Sequence, residues 1–383
     1  MGLRIGVDGR TIQDHFPGIG RYTYHLVEAL APLAAGDTII LLHNPRLPNS
    51  RYPLAKLARH PNVRLREVLI PPFTLAEQLR LPPIARALEL DLLHSPYYIK
   101  PYWLPCPSIL TLYDIISHTH PSSLPSARAR LLFEVTTRLA LRSAHLILTL
   151  SQDAAQDLSQ HYRVPPNKIV VTPGAADARF SPASAEAIAA VRARYGLPPA
   201  YVLYLGINKP HKNLVRLVEA WSQVSHEERA SVTLVLAGRE DARYSDYRRR
   251  AAELGLGDGV RFLGDVAEAD LPALYSGALA FVFPSLAEGF GLPVLEAMAC
   301  GTPVVCSNLS SLPEVAGDAA LLVNPYDVDA LAAAICRLLA DEGLRQEMRA
   351  KGLAQAAKFS WERTARETLA AYHRLTDTPS RTR

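Results

Sequence analysis

The segment LAFVFPSLAEGFGLPVLEAMACGTPVV, residues 279–305, joins an apolar run, a glycine turn, a helix-like stretch and a second apolar run in one unit. Its first run reads as a buried strand at 279–285, the helical periodicity spans 291–299, and the next strand follows at 302–307, which predicts a βα unit of a mostly parallel sheet. Ligands of open α/β sheets bind beyond the carboxyl ends of strands, and this strand delivers the chain to that edge. Gly289 and Gly291 let backbone N–H groups approach an anion, and a helix opening near Leu292 adds its positive end. Glu288 precedes that helix, while Glu296 falls about one turn inside it on the face directed at the same crevice. Taken singly, Glu288 also suits a helix cap and Glu296 a solvated helix position; together with the Gly-Phe-Gly turn they point to a ligand site.

Outward from this segment the same rhythm repeats. Upstream lie YVLYLG (201–206), VTLVLAG (232–238) and VRFLG (260–264), with helices expected at 213–225, 244–255, 270–277, 327–340 and 343–357. The first half carries LRIGV (3–7), a helix over Ile19–Leu33, TIILL (38–42), LDLLH (90–94), SILTLY (108–113), HLILTL (145–150) and KIVVTPG (168–174). Two Rossmann-like α/β domains are therefore expected, 1–180 and 181–360, with a Pro- and Ala-rich passage over Ser181–Pro199 at the junction. An amphipathic helix at about 361–376 is expected to cross back to the first domain, ahead of a frayed tail. Pro-rich stretches at 45–53, 71–83 and 96–107 read as long loops, which places substrate selection, and so the acceptor, on the N-terminal domain.

At 383 residues the chain exceeds what one core usually supports. Hydrophobic residues at 49% and charged residues at 20% exclude wholesale disorder. A net charge of +4 is too small to argue for a nucleic-acid partner, but favours anionic ligands or an anionic membrane face. The first apolar run is too short for a signal peptide and no stretch reaches membrane-spanning length, so a cytoplasmic location is expected, with peripheral contact at the inner membrane face. Cys106, Cys300, Cys306 and Cys336 show no Cys-x-x-Cys spacing and read as buried thiols of a reducing compartment. His118 and His120 lack helical i, i+4 pairing and a third ligand, so no metal is expected.

The run E-G-F-G-L-P-x-x-E-A-M-A-C-G-x-P-V-V, from Glu288, resembles the donor-site signature of retaining glycosyltransferases of family 4, and the resemblance covers nearly the whole chain. It implies the GT-B fold, two facing Rossmann-like domains with a crevice between them. It implies that Glu288 faces the donor sugar, that the backbone of Phe290, Gly291 and Leu292 meets the sugar hydroxyls and diphosphate, and that Glu296 holds the ribose hydroxyls. A second motif, Gly206-Ile207-Asn208-Lys209-Pro210-His211-Lys212-Asn213, can supply cations to a departing diphosphate without magnesium. It also reads as a polar loop with a helix cap at Asn213. The family usually has Arg where His211 stands; a neutral histidine weakens phosphate binding and makes it pH dependent near neutrality, so the diphosphate is assigned chiefly to Lys212, with Asn208 and Asn213 as further donor-binding residues.

A third motif, Pro17-Gly18-Ile19-Gly20-Arg21-Tyr22, resembles the family's glycine loop with Pro17 in place of the first glycine. By that resemblance Gly18 approaches the donor phosphates, and Arg21 and Tyr22 lie on the acceptor side. The dinucleotide fingerprint fails here, because position 23 is Thr. In the fourth, Thr111 to Pro121, Asp114 and His120 match the family's pattern and join Glu288 as catalytic candidates, whereas Tyr113 replaces a histidine and receives no role. Asp114 also suits a cap on the next turn. His94, at a strand end, reads as a buried, hydrogen-bonded histidine.

The resemblance implies front-side substitution, with the leaving phosphate helping to deprotonate the acceptor, and no cofactor besides the nucleotide-sugar substrate. Similarity of the second domain and of Phe359 to Ala365 to bacterial mannosyltransferases of surface polysaccharide synthesis suggests GDP-mannose, with a UDP-glucose-type donor as the alternative; the acceptor is expected to be a glycan or a lipid-linked sugar. Rival readings are a nicotinamide-dependent oxidoreductase, a catalytically silent glycan-binding protein and a hydrolysing epimerase.

Overall fold

In a computed structural model, which describes residues 2–120 and 126–377, strand β1 (Arg4–Asp8) lies inside a sheet with β2 (Thr38–His43), β3 (Val63–Glu67), β4 (Leu92–Ser95), β5 (Ser108–Thr111), β6 (Leu146–Thr149) and β7 (Ile169–Val171). Their order is β3-β2-β1-β4-β5-β6-β7, and every neighbouring pair is parallel. Around it are α1 (Pro17–Leu33), α2 (Leu54–Leu57), α3 (Leu75–Ala87), α4 (Ile116–Thr119), α5 (Ala127–Ser143) and α6 (Gln152–Tyr162). The second sheet comprises β8 (Tyr201–Leu205), β9 (Thr233–Ala237), β10 (Val260–Gly264), β11 (Ala280–Phe283), β12 (Val304–Ser307) and β13 (Ala320–Val323), in the order β10-β9-β8-β11-β12-β13 and again parallel. Its helices are α7 (Ala185–Tyr195), α8 (Leu214–Gln223), α9 (His226–Ser231), α10 (Asp246–Glu253), α11 (Leu271–Ser276), α12 (Leu292–Ala299), α13 (Leu312–Ala316), α14 (Val328–Ala340) and α15 (Glu342–Ala356).

The chain divides into two units. One takes the chain to Thr119, the following segment as far as Gly174, and the last helix, α16 (Trp361–Thr376); the other runs from Ala175 to Phe359 and also takes in His120. The change of unit therefore comes before the expected residue 180. Phe180 packs edge-on against Tyr275 with ring centroids 6.0 Å apart, and Arg179 pairs with Glu268 at 3.1 Å, so side-chain packing draws this stretch to the second unit. In the first unit, α16 is tied down by His94, which is fully buried as expected: Nδ1 lies 2.7 Å from the Tyr372 hydroxyl and Nε2 2.7 Å from Thr111 Oγ1.

Several expectations are corrected. The Pro-rich stretch 71–83 is not a loop throughout, because α3 contains Pro82 and Pro83. Each proline removes an intrahelical donor. The helix persists because Glu77 in its first turn is buried and accepts from Arg10 Nη2 and the Phe73 N–H, both at 3.1 Å, while Leu81 and Ala85 face the core. The passage over 181–199 contains α7, capped by Ser184 and closed by Gly196 at φ +58°. Strands β3 and β13 lie at sheet edges, where one flank needs no apolar partner; β3 reads VRLRE and carries no apolar run. Of the tail expected over Thr376 to Arg383, Thr376 ends α16, and the residues beyond 377, like Pro121, lie outside the described residues. Cys106, Cys300 and Cys306 are buried and Cys336 is partly exposed; burial pushes the Cys106 thiol up to about 11, and those of Cys300 and Cys306 to about 12.

Candidate functional site

The strand order of the second sheet reverses between β8 and β11, which are hydrogen-bonded neighbours, so the loops leaving their carboxyl ends must open on the same spot. The β8 loop makes a single 3₁₀ turn at Pro210–Lys212, and the Leu286 N–H on the β11 loop donates to the His211 carbonyl at 2.7 Å, stitching the two loops together. Across this seam Lys212 Nζ meets Glu288 Oε1 at 2.5 Å, with the two side chains only 13% and 10% exposed. The ammonium also lies 5.1 Å from the Phe283 ring centroid. A pair so poorly hydrated is strengthened by its surroundings, and each member is costly to leave alone.

The backbone around Glu288 is held from the loop after β12. Ser310 Oγ donates to the Glu288 carbonyl at 2.7 Å and accepts from its N–H at 3.1 Å; Ser311 Oγ lies 2.9 Å from the carbonyls of Glu288 and Phe290. Ser310 adopts φ +59°, unusual for a residue with a side chain. Sequence reading missed both serines. The signal was present in two hydroxyl residues between a strand and a Leu-Pro helix start, but serine is common in loops and nothing local names its partner.

Gly291 caps α12 at φ +105°, and a β-carbon there would sit 2.6 Å from Leu312 Cδ2, so glycine is required both by conformation and by space. The N–H groups of Phe290, Gly291 and Leu292 donate no hydrogen bond among the described residues, which leaves three donors at the positive end of the helix beside the Lys212–Glu288 pair. Phe290 itself is 4% exposed and packs edge-on against Phe359. Glu296 is 3% exposed and accepts from the Tyr275 hydroxyl at 3.1 Å, so it points inward from α12 and is nearly closed to solvent.

A parallel sheet with donors and a cation gathered at the strand-order reversal is a place for a phosphorylated ligand, and comparison with known proteins gives the class. Residues 17–180 match a family described as Glycosyltransferase Family 4, and residues 189–355 one described as Glycosyl transferases group 1. An O-antigen chain mannosyltransferase B of Escherichia coli is 36% identical over 371 residues, spanning 94% of this chain and 96% of that relative. The chain belongs to the family 4 glycosyltransferases. Among solved structures, a sucrose-phosphate synthase from Thermosynechococcus elongatus superposes with a TM-score of 0.75 at 25% identity, over 98% of this chain and 99% of that one. The Anabaena protein HepE in complex with UDP-glucose has a TM-score of 0.74 at 20% identity, over 98% and 100%. The glycosyltransferase thus has the two Rossmann-like parallel-sheet units of the GT-B fold.

The remaining residues singled out in the transferase sequence fall into distinct settings. Asn208 donates to the carbonyls of Asp241 and Tyr244 and accepts from the Asp241 N–H, while Asn213, at φ +62°, donates to those of Pro284 and Pro325. Both amides shape loops around the site and are engaged by protein. His211 is 6% exposed, and burial, then the Lys212, Lys209 and His120 charges, hold its pKa down at about 2. The pH dependence near neutrality expected of it is therefore corrected: the imidazole stays neutral across that range. His120 lies with its ring centroid 6.4 Å from that of His211.

In the first unit, Asp114 Oδ1 accepts from the Ile116 N–H at 2.9 Å, the capping contact that a strand-terminal aspartate also suits. Gly18 lies in the first turn of α1 with open space where a β-carbon would be. Arg21 Nε donates to the Tyr52 hydroxyl at 3.4 Å. Tyr22, expected on the acceptor side, is 1% exposed and packs edge-on against Tyr113 and Trp361, inside the core of this unit. Such a phenol is part of the packing of that unit and does not reach a ligand in this conformation. Among the described residues no group of three or more His, Cys, Asp or Glu side chains could hold a metal ion. No described helix is long and apolar enough to cross a membrane.

Proposed function

We propose that this glycosyltransferase moves mannose from GDP-mannose, with retention at the anomeric carbon and without a metal, to a glycan or lipid-linked acceptor in surface polysaccharide synthesis at the cytoplasmic face of the membrane. The relative that matches along nearly the whole chain carries the mannosyl and polysaccharide parts of this reading. The Lys212–Glu288 pair beside three undonated N–H groups carries the chemistry. On donor binding the diphosphate takes Lys212 Nζ and the amides of Phe290 to Leu292, and Glu288 turns from the ammonium to the sugar hydroxyls, which a carboxylate accepts in pairs.

In the reaction the bond from the anomeric carbon to the diphosphate oxygen breaks and the acceptor oxygen bonds to the same face. The acceptor proton passes to the leaving phosphate oxygen. Lys212 and the helix amides stabilise the charge that grows on the diphosphate, a role that needs no movement of the protein during the step. Asp114 and His120 are proposed on the sugar and acceptor side, Gly18 at the donor phosphates, Arg21 toward the acceptor, and Glu296 at the ribose.

Thermal stabilisation by GDP, UDP, ADP and NAD, each with and without a chelator, tests the donor. A ligand at 100 times its dissociation constant stabilises by about 2.7 kcal/mol, and the expected outcome is a chelator-insensitive shift with GDP. A shift with UDP alone moves the donor to the UDP-glucose type, and one with NAD alone removes the transferase scheme. Incubation with GDP-mannose and no acceptor should release little free mannose; rapid release would indicate hydrolysis as the main reaction.

A further inference from the structure

The carboxyl edge of the first sheet carries aromatic rings that the core does not take in. Phe16 lies between β1 and α1, Phe73 between β3 and α3, Tyr97 and Tyr98 follow β4, and Phe133 joins the same run from α5. Their centroids form an unbroken series: Phe16 to Phe73 at 5.3 Å, Phe73 to Tyr97 at 4.5 Å, Tyr97 to Tyr98 at 4.2 Å and Tyr98 to Phe133 at 4.8 Å. Phe73 and Tyr98 are also parallel, with 2° between their planes and centroids 6.2 Å apart. Elsewhere this chain closes its large aromatic side chains off, Tyr22, Tyr201, Tyr204, Tyr275 and Tyr372 among them, whereas these five keep part of their surface in solvent. Adjoining rings left half-buried forgo the burial that each would gain in a core.

Two further features belong to the same place. Phe73 adopts φ +66°, a left-handed backbone that is costly for a bulky side chain. Its N–H donates to Glu77 Oε2 at 3.1 Å, and Glu77 is fixed by Arg10 at 3.1 Å, so a buried ion pair keeps the ring in a conformation that the local chain opposes. Strain upheld in this way at a partly open surface is a mark of ligand clamps. The second feature is charge. The Tyr97 phenol is pushed above its ordinary pKa by burial, then by Tyr98 and by the Asp114 carboxylate, so it lies within electrostatic reach of the aspartate proposed on the sugar and acceptor side.

We infer that these rings are a platform for the acceptor and that the acceptor is recognised as a neutral saccharide, its pyranose rings lying against Phe73, Tyr97 and Tyr98 while the two phenols and Asp114 take sugar hydroxyls. The C–H groups on one face of a pyranose carry a small positive charge and suit the negative face of an aromatic ring, and its hydroxyls project at the rim, where phenols and a carboxylate can bond them. The cation of the β1 turn, Arg10, is consumed by Asp8 and Glu77, so the run favours a neutral ligand over a phosphate. An alkyl chain would use neither the phenols nor the carboxylate. The inference deepens the proposed function by naming what the acceptor is recognised by, and rests on that reading for its purpose; it is tested through binding without transfer, so the two fail separately.

The test is saturation-transfer NMR on the full chain, irradiated at aromatic proton frequencies, with mannotriose, maltotriose and diacetylchitobiose as probes, each with and without GDP. At least one saccharide is expected to bind, with the strongest transfer to its pyranose C–H protons. Phe73→Leu/Tyr98→Leu keeps apolar bulk and removes two π faces, and should weaken that binding about tenfold. Tyr97→Phe removes a hydroxyl and no carbon, and should weaken it about fivefold, which keeps the test in hand should the double variant not fold. The GDP-induced rise in melting temperature should stay at the parent value in both, because the donor groups lie in the second unit. No transfer to any of the three saccharides, or an affinity that both variants leave unchanged, overturns the proposal. Binding of farnesyl phosphate that the leucine variant leaves intact, without saccharide binding, also overturns it and gives the rings to a lipid carrier. Saccharide binding that the variants weaken in a chain that no nucleotide stabilises supports the platform and removes the transferase scheme instead.

Discussion

The turn from β1 to α1 in the first unit and the turn from β8 to α8 in the second occupy the same topological position, yet their charges are used in opposite ways. After β1, Arg10 is 3% exposed and bridges Asp8 at 2.7 Å and Glu77 at 3.1 Å, so the ions are consumed among themselves and fasten α3 to the sheet. After β8, Lys212 faces a single carboxylate at the rim, close to amides that donate to nothing in the described protein. A closed network is an anchor, whereas a pair at an edge can be exchanged for a ligand. The strand order that the two sheets share over six strands therefore tells where charges collect, and burial with the number of partners tells what they do.

The comparison is broken most directly by removing each cation. Arg10→Met leaves Asp8 and Glu77 buried without their partner and should cost about 3–5 kcal/mol of stability in denaturant unfolding, with activity per folded molecule retained. Lys212→Met should shift the weight to turnover: kcat/KM falls on the order of 10²–10³, about 3–4 kcal/mol of transition-state stabilisation, and the stability lost by leaving Glu288 without its partner is smaller than for Arg10→Met, where two buried carboxylates lose theirs. If Lys212→Met unfolds the chain and spares turnover, the second turn is an anchor too.

Smaller effects sharpen the same contrast at the glycines. Gly291→Ala meets both a positive φ and Leu312, and should lose about 1–3 kcal/mol together with nucleotide affinity. Gly18→Ala, in the first turn of α1 with open space around it, should leave stability the same or slightly higher by thermal unfolding. A final test is acid. His94 in the first unit and His211 in the second are held neutral, with pKa values lowered to about 3 and about 2 chiefly by burial. The unfolded chain binds their protons near the ordinary value of about 6.5, so stability is full above that pH and falls as pH drops toward the folded values. Each imidazole contributes a slope of at most about 1.4 kcal/mol per pH unit, which urea titrations between pH 7 and about pH 4 would read for His94→Gln and His211→Gln separately.

Much of the second unit was legible because its strands are unbroken apolar runs and its helices start and stop at strong signals. Helices expected at 291–299 and 343–357 appear at Leu292–Ala299 and Glu342–Ala356. In the first unit α3, α5 and α6 were not marked out, since prolines inside α3 and the outward leucines of α5 blur the amphipathic pattern on which helix reading depends. At the candidate site the residue types were legible, but partners were not. Nothing local in the sequence says that Lys212 and Glu288 touch, that Ser310 and Ser311 hold the Glu288 backbone, or that Tyr22 turns into the core.

The sequence by itself determined two parallel α/β units, the glycine that opens α12 and the cations and carboxylates at strand ends, because periodicity, turn chemistry and charge are properties of neighbouring residues. Only the tertiary structure decided which of those charges face each other, which are buried and which stay neutral. Distance and desolvation depend on residues far apart in the chain, such as Lys212 and Glu288, that the adjacency of β8 and β11 brings together.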